Sequence, residues 1–358
     1  MSETPLFIRA CYGEKTERTP IWLMRQAGRY MAEYRAIRAK ADFWEVCHNP
    51  ALATEVTLQP INAFGLDAAI LFSDLLIPFP HMGFEVNFIP GKGPVLPAPI
   101  ERPEDVDRLR PTPMREALAC VGDAVSSIVS ELPASTPLIG FAGAPFTMAS
   151  YLIEGGSSRQ FMKTKAFLYQ HPEAAERLFT RISDAVIELL QLQIDRGCRA
   201  VQIFDSWAGA LDPAAYARWG LPYTQKIVNA VRRPGVPVIV FAKGTSGYFD
   251  LVTQAGADVY GVDWTQSLSR ARAAASGAVA PGGGPVALQG NLDPGRLLSP
   301  WPELEAATRS LLDEAGDGRG HIFNLGHGIY QYTPVESVRR LVDFVQQNSA
   351  DWRQAPGA

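Results

Sequence analysis

The chain has 358 residues, 47% of them hydrophobic and 20% charged, and a formal net charge of -4. That balance is ordinary for a globular protein with a large core, and its slight acidic excess excludes a global attraction to nucleic acid or to an anionic membrane. Residues Met1 to Lys15 carry both charges and no apolar h-region, and no uncharged apolar run reaches spanning length, so the expected location is the cytoplasm.

In chain order, apolar runs of strand length fall at 21–24, 68–72, 137–141, 200–204, 238–242, 259–263, 286–290 and 322–326. They are continuous rather than alternating, as strands covered on both faces are. Helical patterns lie between them, the clearest over 172–196 with Pro172 at its start and Gly197 at its end; 213–233, 300–315 and 334–347 are similar. Residues 78–99, rich in Pro and Gly, predict a short hairpin over the barrel mouth, and 273–285 a surface loop. Eight strand–helix units without a dividing linker predict an α/β chain, a single-domain (β/α)8 barrel over 1–358. The cysteines Cys11, Cys47, Cys120 and Cys198 show no paired spacing and are expected to be free, buried thiols.

Polar groups follow the strands directly: Arg25 to Arg29, Ser73-Asp74, Ala142 to Pro145, Asp205-Ser206-Trp207, Lys243-Gly244, Asn291-Leu292-Asp293 and His327-Gly328. In a barrel all of these converge on the C-terminal mouth, where active sites lie. Helix capping accounts for Ser, Asp and Asn there, but less well for arginine, lysine or histidine. Arg25 and Arg29 at helical spacing would share one side of a turn, with Gly28 permitting close approach. Such a pair suits a polycarboxylate or a phosphate; a solvated face with Arg29 paired to Glu33 fits the same spacing. Asp74 is either an N-cap or a carboxylate in a nearly apolar mouth lined by Phe72, Leu75, Leu76 and Phe79, where it favours N–H donors or a developing cation. Tyr151 has a packing role open to it, Ser206 a capping role, and Lys243 a solvent-snorkelling one. His327 lies between glycines, which suits close approach by a ligand, although a lone histidine also serves as a hydrogen-bonded structural residue. Cys47-His48 and the dispersed His81, His171 and His321 make no zinc-like set, and Gly282-Gly283-Gly284 lacks the rest of a phosphate loop.

The segment Pro20-Ile21-Trp22-Leu23-Met24-Arg25-Gln26-Ala27-Gly28-Arg29-Tyr30, continuing through Met31-Ala32-Glu33-Tyr34-Arg35, resembles the N-terminal signature of the uroporphyrinogen decarboxylase family. Leu71 to Asp74, Gly143 to Thr147 with Tyr151 and Glu154-Gly155-Gly156, Phe204-Asp205-Ser206, Ala287 to Pro294 and Asn324 to Gly328 resemble it too, in order from about Leu6 to Phe344. The resemblance implies a distorted barrel with its active site at the C-terminal mouth and a homodimer with facing mouths, without metal or organic cofactor. The reaction it implies removes CO2 from the four acetates of uroporphyrinogen III to give coproporphyrinogen III. Arg25, Arg29, Asp74, Tyr151, Ser206 and His327 match the family's substrate-site positions. Loop 273–285 is longer, and Lys243 to Gly247 less glycine-rich, than the family pattern; neither departure touches these residues.

Chemistry fits the implied roles. Losing CO2 leaves a carbanion, and a protonated pyrrole is an iminium-like cation that accepts its electrons, so the substrate serves as its own cofactor. The protein must clamp carboxylates (Arg25 and Arg29, with Tyr151, Ser206 and His327), set an anion near the pyrrole nitrogens (Asp74), and supply a proton (Arg25 or a water it holds). The alternatives are a zinc-dependent corrinoid or folate methyltransferase on a related barrel, and a tetrapyrrole carrier without catalysis, which would have little use for Asp74.

Overall fold

A computed structural model describes residues 4–89 and 91–352 of the chain. Its strands are β1 (Ala69–Ile70), β2 (Asn87–Ile89), β3 (Gly93–Val95), β4 (Leu138–Gly143), β5 (Ala200–Asp205), β6 (Val238–Ala242), β7 (Val259–Gly261), β8 (Ala287–Gln289) and β9 (His321–Ile322). Seven of these form one parallel sheet in the order β1-β4-β5-β6-β7-β8-β9, with helices between successive strands. The sheet curls into a distorted α/β barrel. Alternate residues take opposite sides of it: Ile139, Ile239, Phe241 and Val259 join an inner cluster with Trp22, Met24 and Ile322, while Leu138, Val201, Val238 and Val240 pack into the outer core with the helices. Both faces are therefore buried, which explains the unbroken apolar runs. Phe7, Ile8, Ala10 and Cys11 of the helix Leu6–Cys11 belong to the inner cluster, and Gly13 just beyond meets Gly320 and Pro285, so this helix plugs the N-terminal end.

The expected first strand at 21–24 is not a regular strand. Only Ile21 makes a parallel bridge, to Phe323. The segment still closes the barrel between β9 and β1: Trp22 N donates to Phe323 O (3.3 Å), Phe323 N to Pro20 O (2.9 Å), and Asp67 N to Ile21 O (2.9 Å). Pro20 has no N–H to extend the ladder, and a turn in which Gln26 N donates to Leu23 O (2.9 Å) ends the segment four residues on. Inside the barrel, Trp22 Nε1 donates to Gln289 Oε1 (2.9 Å) and Gln289 Nε2 to Gln202 Oε1 (3.2 Å), a short polar chain beneath the mouth whose last amide nitrogen, Gln202 Nε2, is left without a partner among the described residues.

The helix expected over 213–233 is two helices, Pro213–Trp219 and Leu221–Val231, because Gly220-Leu221-Pro222 interrupts the hydrogen-bond ladder. The pattern at 172–196 forms Pro172–Asp195, with Gly197 beyond it at φ 119°. The expected hairpin forms from β2 and β3, anchored through Phe88 to Phe43 and Trp44 at ring distances of 4.6 and 5.1 Å, and through a Val95–Gly156 bridge. Cys11, Cys47 and Cys198 are buried and Cys120 is half-buried, all four as free thiols.

Candidate active site

The residues that follow the strand ends meet around Arg25. The helical turn expected to display Arg25 and Arg29 is absent: 24–30 is a series of turns, and Arg25 itself is left-handed at φ 59°. A non-glycine residue there stores of order 1–3 kcal/mol of backbone strain. The conformation sends the Arg25 side chain across Gly328. A Cβ on Gly328 would lie 2.6 Å from Arg25 Cγ, closer still to Cδ, and 3.0 Å from Nε. The 326–329 loop that carries Gly328 is tied to the Arg25 loop by Ile329 N donating to Met24 O at 3.0 Å.

Asp74 stands four residues past β1. One carboxylate oxygen accepts from Leu76 N at 2.8 Å, which realises the local turn its position allowed. No described residue donates to the other oxygen. Leu76 and Phe79 are buried and Phe72 and Leu75 half-buried around it, as the sequence anticipated. This burial pushes the carboxyl up to about 6, opposed by the Leu76 N–H and by the positive charge of Arg25. Just above neutral pH the group is an anion held near a cation without a formal ion pair.

Tyr151 reaches the same place from the helix Pro145–Glu154, which begins two residues after β4. Its phenol is raised by burial and by the Asp74 charge, with Arg25 opposing, so Asp74, Arg25 and Tyr151 share one electrostatic neighbourhood. Its ring packs on Trp207 at 4.0 Å, which leaves the packing role and the hydroxyl's availability compatible. Trp207 N in turn donates to Thr147 Oγ1 (3.1 Å), and Thr147 Oγ1 donates to Asp205 Oδ1 (2.6 Å). Asp205 is buried with its second oxygen unsatisfied, and burial raises it to about 7. Ser206, the next residue, is half-buried and caps nothing: the following 3-10 turn starts from Trp207.

His327 joins the group beside Gly328, within the field of Arg25. Its ring lies 6.2 Å from Trp264, nearly parallel at 16°, and 6.4 Å from Phe241. Burial, with Arg25 and Lys243 nearby, lowers its pKa to about 4, and Asp263 opposes. It is therefore a neutral imidazole at physiological pH, a hydrogen-bonding group rather than an acid. Asp263 is saturated: Oδ1 accepts from Thr265 N (2.7 Å) and Thr265 Oγ1 (2.5 Å), and Oδ2 from Gly244 N. The rings of Phe141, Phe204 and Phe241 run in successive contact (5.6 and 6.0 Å) across the strands below.

The structure thus brings Arg25, Asp74, Tyr151 and His327 together and sets Ser206 beside Trp207. Arg29 stands apart. It is exposed, makes no ion pair with Glu33 among the described residues, and its electrostatic neighbour is Tyr34, whose ring packs on Phe72 at 5.6 Å. Asp263 and Trp264 were missed as site residues from the sequence, although they lie two and three residues past β7 as Lys243 lies just past β6; the rule that found the other strand ends finds these. Among the described residues no three His, Cys, Asp or Glu side chains are grouped to hold a metal ion, and no helix is long and apolar enough to cross a membrane.

The family model described as Uroporphyrinogen decarboxylase (URO-D) matches residues 2–348. A uroporphyrinogen decarboxylase of Roseiflexus sp. (strain RS-1) is 48% identical over 350 residues, spanning 96% of this chain and 99% of the relative. One of Chloroflexus aggregans (strain MD-66 / DSM 9485) is 50% identical over 345 residues, 95% of this chain and 94% of the relative. Among solved structures, a methyltransferase from Methanosarcina mazei superposes with a TM-score of 0.74 over 96% of this chain and 99% of its own, at 18% identity, a likeness of fold alone.

Proposed function

This chain belongs to the uroporphyrinogen decarboxylase family and is a carboxy-lyase of haem biosynthesis; from that premise we propose how its mouth removes the acetate carboxyls of uroporphyrinogen III. The observation that carries the reading is the Asp74 carboxylate, one oxygen spent on Leu76 and the other unclaimed, inside an apolar mouth beside Arg25.

A porphyrinogen is not aromatic across its ring system. It can dome so that all four pyrrole N–H groups point at one centre, where only an acceptor without protons meets them. Asp74 fills that role. The reaction starts when a proton adds to a ring α-carbon next to the carbon bearing the acetate. The resulting cation is conjugated to that carbon and is stabilised by the carboxylate at the ring centre. The bond to CO2 then breaks, and its electron pair forms an exocyclic double bond that neutralises the cation. The methylene carbon takes a proton to become methyl, and the α-carbon loses its added proton. The net change is one proton in and one CO2 out for each acetate.

Arg25 is suited to hold the departing carboxylate, since it reaches the mouth within the field of Asp74, Tyr151 and His327. It, or a water it holds, is also the proton donor in this proposal. Tyr151, Ser206 and neutral His327 offer hydrogen bonds to other carboxylates, and Arg29 serves the outer edge. The substrate supplies its own electron sink, so no cofactor enters the steps. In this reading the whole chain acts as one barrel domain in the cytoplasm, and two copies pair with mouths facing; sedimentation tests the pairing.

The deciding experiment is anaerobic incubation with uroporphyrinogen III, followed by oxidation and chromatography of the porphyrins. Coproporphyrin with intermediates of seven, six and five carboxyls supports the proposal. Tight binding without conversion would instead make the chain a carrier, and methyl transfer dependent on tightly held zinc would move it to the methyltransferases.

A further inference from the structure

A cation in this mouth has no assigned partner. Lys243 is the first residue after β6, and its position is fixed at the backbone: Lys243 N donates to Asp205 O (3.0 Å) and Lys243 O accepts from Gly209 N (2.9 Å). The loops after β5 and β6 touch so closely here that a Cβ on Gly209 would meet Gly244 O at 2.7 Å. Gly244 N is held in turn by the Asp263 carboxylate. Lys243 is thus set on a rigid platform, unlike a side chain snorkelling from a mobile surface.

Its ammonium lies 5.5 Å from the centroid of the Trp264 ring, and Trp264 stacks on His327. No carboxylate among the described residues comes within ion-pair distance of it. Asp263, which holds Gly244 N next to Lys243, is spent on Gly244 and Thr265. An ammonium over an indole face keeps donors for another anion, since the ring engages only part of its field. Its influence reaches His327, and so does that of Arg25. Lys243 and Arg25 therefore both bring positive charge to the neighbourhood of one imidazole, Arg25 across Gly328 and Lys243 over the Trp264 ring that stacks on His327.

The substrate carries an acetate and a propionate on each pyrrole, more carboxylates than two arginines can hold. We infer that Lys243, supported by Trp264, whose ring stacks on His327, forms a further carboxylate subsite for the porphyrinogen beside His327. The inference rests on the decarboxylase reading and adds to it a determinant of substrate affinity. As a point donor to a carboxylate other than the one departing, Lys243 contributes equally to ground state and transition state, so its loss raises KM and leaves kcat in place.

The test compares wild type, Lys243→Gln and Lys243→Arg by anaerobic kinetics and thermal midpoints. Two substrates are used: uroporphyrinogen III, and a pentacarboxylated porphyrinogen keeping all four propionates and one acetate. Lys243→Gln is expected to raise KM for uroporphyrinogen III about tenfold, with kcat within a factor of three and an unchanged thermal midpoint. Lys243→Arg, which keeps the charge and the ring contact, should restore most of the loss. A KM effect on both substrates assigns the subsite to a propionate; an effect confined to uroporphyrinogen III assigns it to an acetate. Unaltered KM in Lys243→Gln beside a fully active wild type overturns the subsite and leaves the decarboxylase reading standing. Equal impairment in the Gln and Arg variants also overturns it, by making Lys243 a packing residue. Failure of the wild type itself to convert uroporphyrinogen III strikes the reading beneath.

Discussion

Replacing Asp74 by Asn tests the centre of the mechanism, because catalysis and stability should move in opposite directions. Asparagine keeps the size and the acceptor that takes the Leu76 N–H at 2.8 Å, but deletes the charge and adds donors facing the pyrrole N–H groups. Losing a preorganised electrostatic contact to a developing charge costs about 3 kcal/mol, or two to three decades in kcat. Stability follows from the carboxyl's pKa, raised from 3.8 to about 6 by burial. Between those values the folded state binds more protons than the unfolded, so stability falls as pH rises through that window and stays lower above it. A shift of about two units corresponds to at most ~3 kcal/mol, and partial exposure of the side chain reduces it, leaving about 1–2 kcal/mol for the variant to regain at pH 7.5. That is a rise of a few degrees in thermal midpoint. The assay is turnover of uroporphyrinogen III alongside midpoints at pH 7.5 and pH 4. The gain should vanish at pH 4, where both proteins carry a neutral group. Asp74→Glu, which keeps the charge but displaces it, should retain more activity than the Asn variant. Near wild-type turnover in Asp74→Asn, or activity lost only because the midpoint collapses, would refute the central-carboxylate mechanism.

The same carboxyl should set the acid limb of kcat/KM: activity falls as pH drops through about 6 and Asp74 gains a proton, and the limb disappears in Asp74→Asn. His327→Asn should leave that limb in place, since burial keeps the imidazole neutral down to about 4, and should lower activity only about three- to tenfold with partly decarboxylated intermediates released. Loss as deep as in Asp74→Asn would make His327 an essential acid. Arg29→Lys keeps charge but not the planar two-bond fork, so it should lose about 1–3 kcal/mol in kcat/KM, and wild-type kinetics would take Arg29 out of the site. Gly328→Ala should cost tenfold or more in kcat/KM with a small change in thermal midpoint, because its methyl would occupy the space of Arg25 Cγ and Cδ while the backbone there suits alanine. Unchanged kinetics would mean that the Arg25 pose over Gly328 is irrelevant to turnover.

Much of the fold was legible because buried parallel strands leave a simple trace. The run at 238–242 coincides with β6, and the runs at 200–204 and 137–141 fall within two residues of β5 and β4. The expected strand at 21–24 failed because proximity and regular pairing are different properties. Its apolar residues do fill the gap between β9 and β1, but Pro20 and the turn at Gln26 leave room for only one bridge. The break at Gly220 was missed because amphipathic spacing continues across it while Pro222 removes a backbone donor, a local cost that periodicity does not register. At the site, strand-end position carried the inference: Asp74, Ser206, Lys243 and His327 each lie just beyond an apolar run, although in the structure only Ser206 and Lys243 directly follow a strand, with Asp74 and His327 four and five residues past β1 and β9. Arg25 was found for the wrong reason. Helical spacing to Arg29 suggested a shared face, yet what aims Arg25 is a left-handed backbone and the missing side chain at Gly328, three hundred residues away in sequence.

Asp74 shows how magnitudes separate capping from function. Its turn contact is real, and for a sequence alone capping is the better explanation of any Ser-Asp pair. Such a contact stabilises by about 1 kcal/mol, and asparagine supplies it equally well. The carboxylate at this position instead carries a burial cost that its single N–H contact and the Arg25 field leave uncancelled, since its pKa remains raised to about 6. A charge that costs more than its local contact returns is poorly explained by folding. It is well explained by a ligand that brings several N–H donors and becomes cationic during the reaction, because that ligand offsets the cost only when bound and most strongly in the transition state. The same reasoning separates Asp74 from Asp263, whose two oxygens take three hydrogen bonds from Gly244 and Thr265 and so serve the loops that carry Lys243 and Trp264. Hydrogen-bond satisfaction thus separates Asp263, which builds the wall, from Asp74, the aspartate the proposed mechanism assigns to substrate.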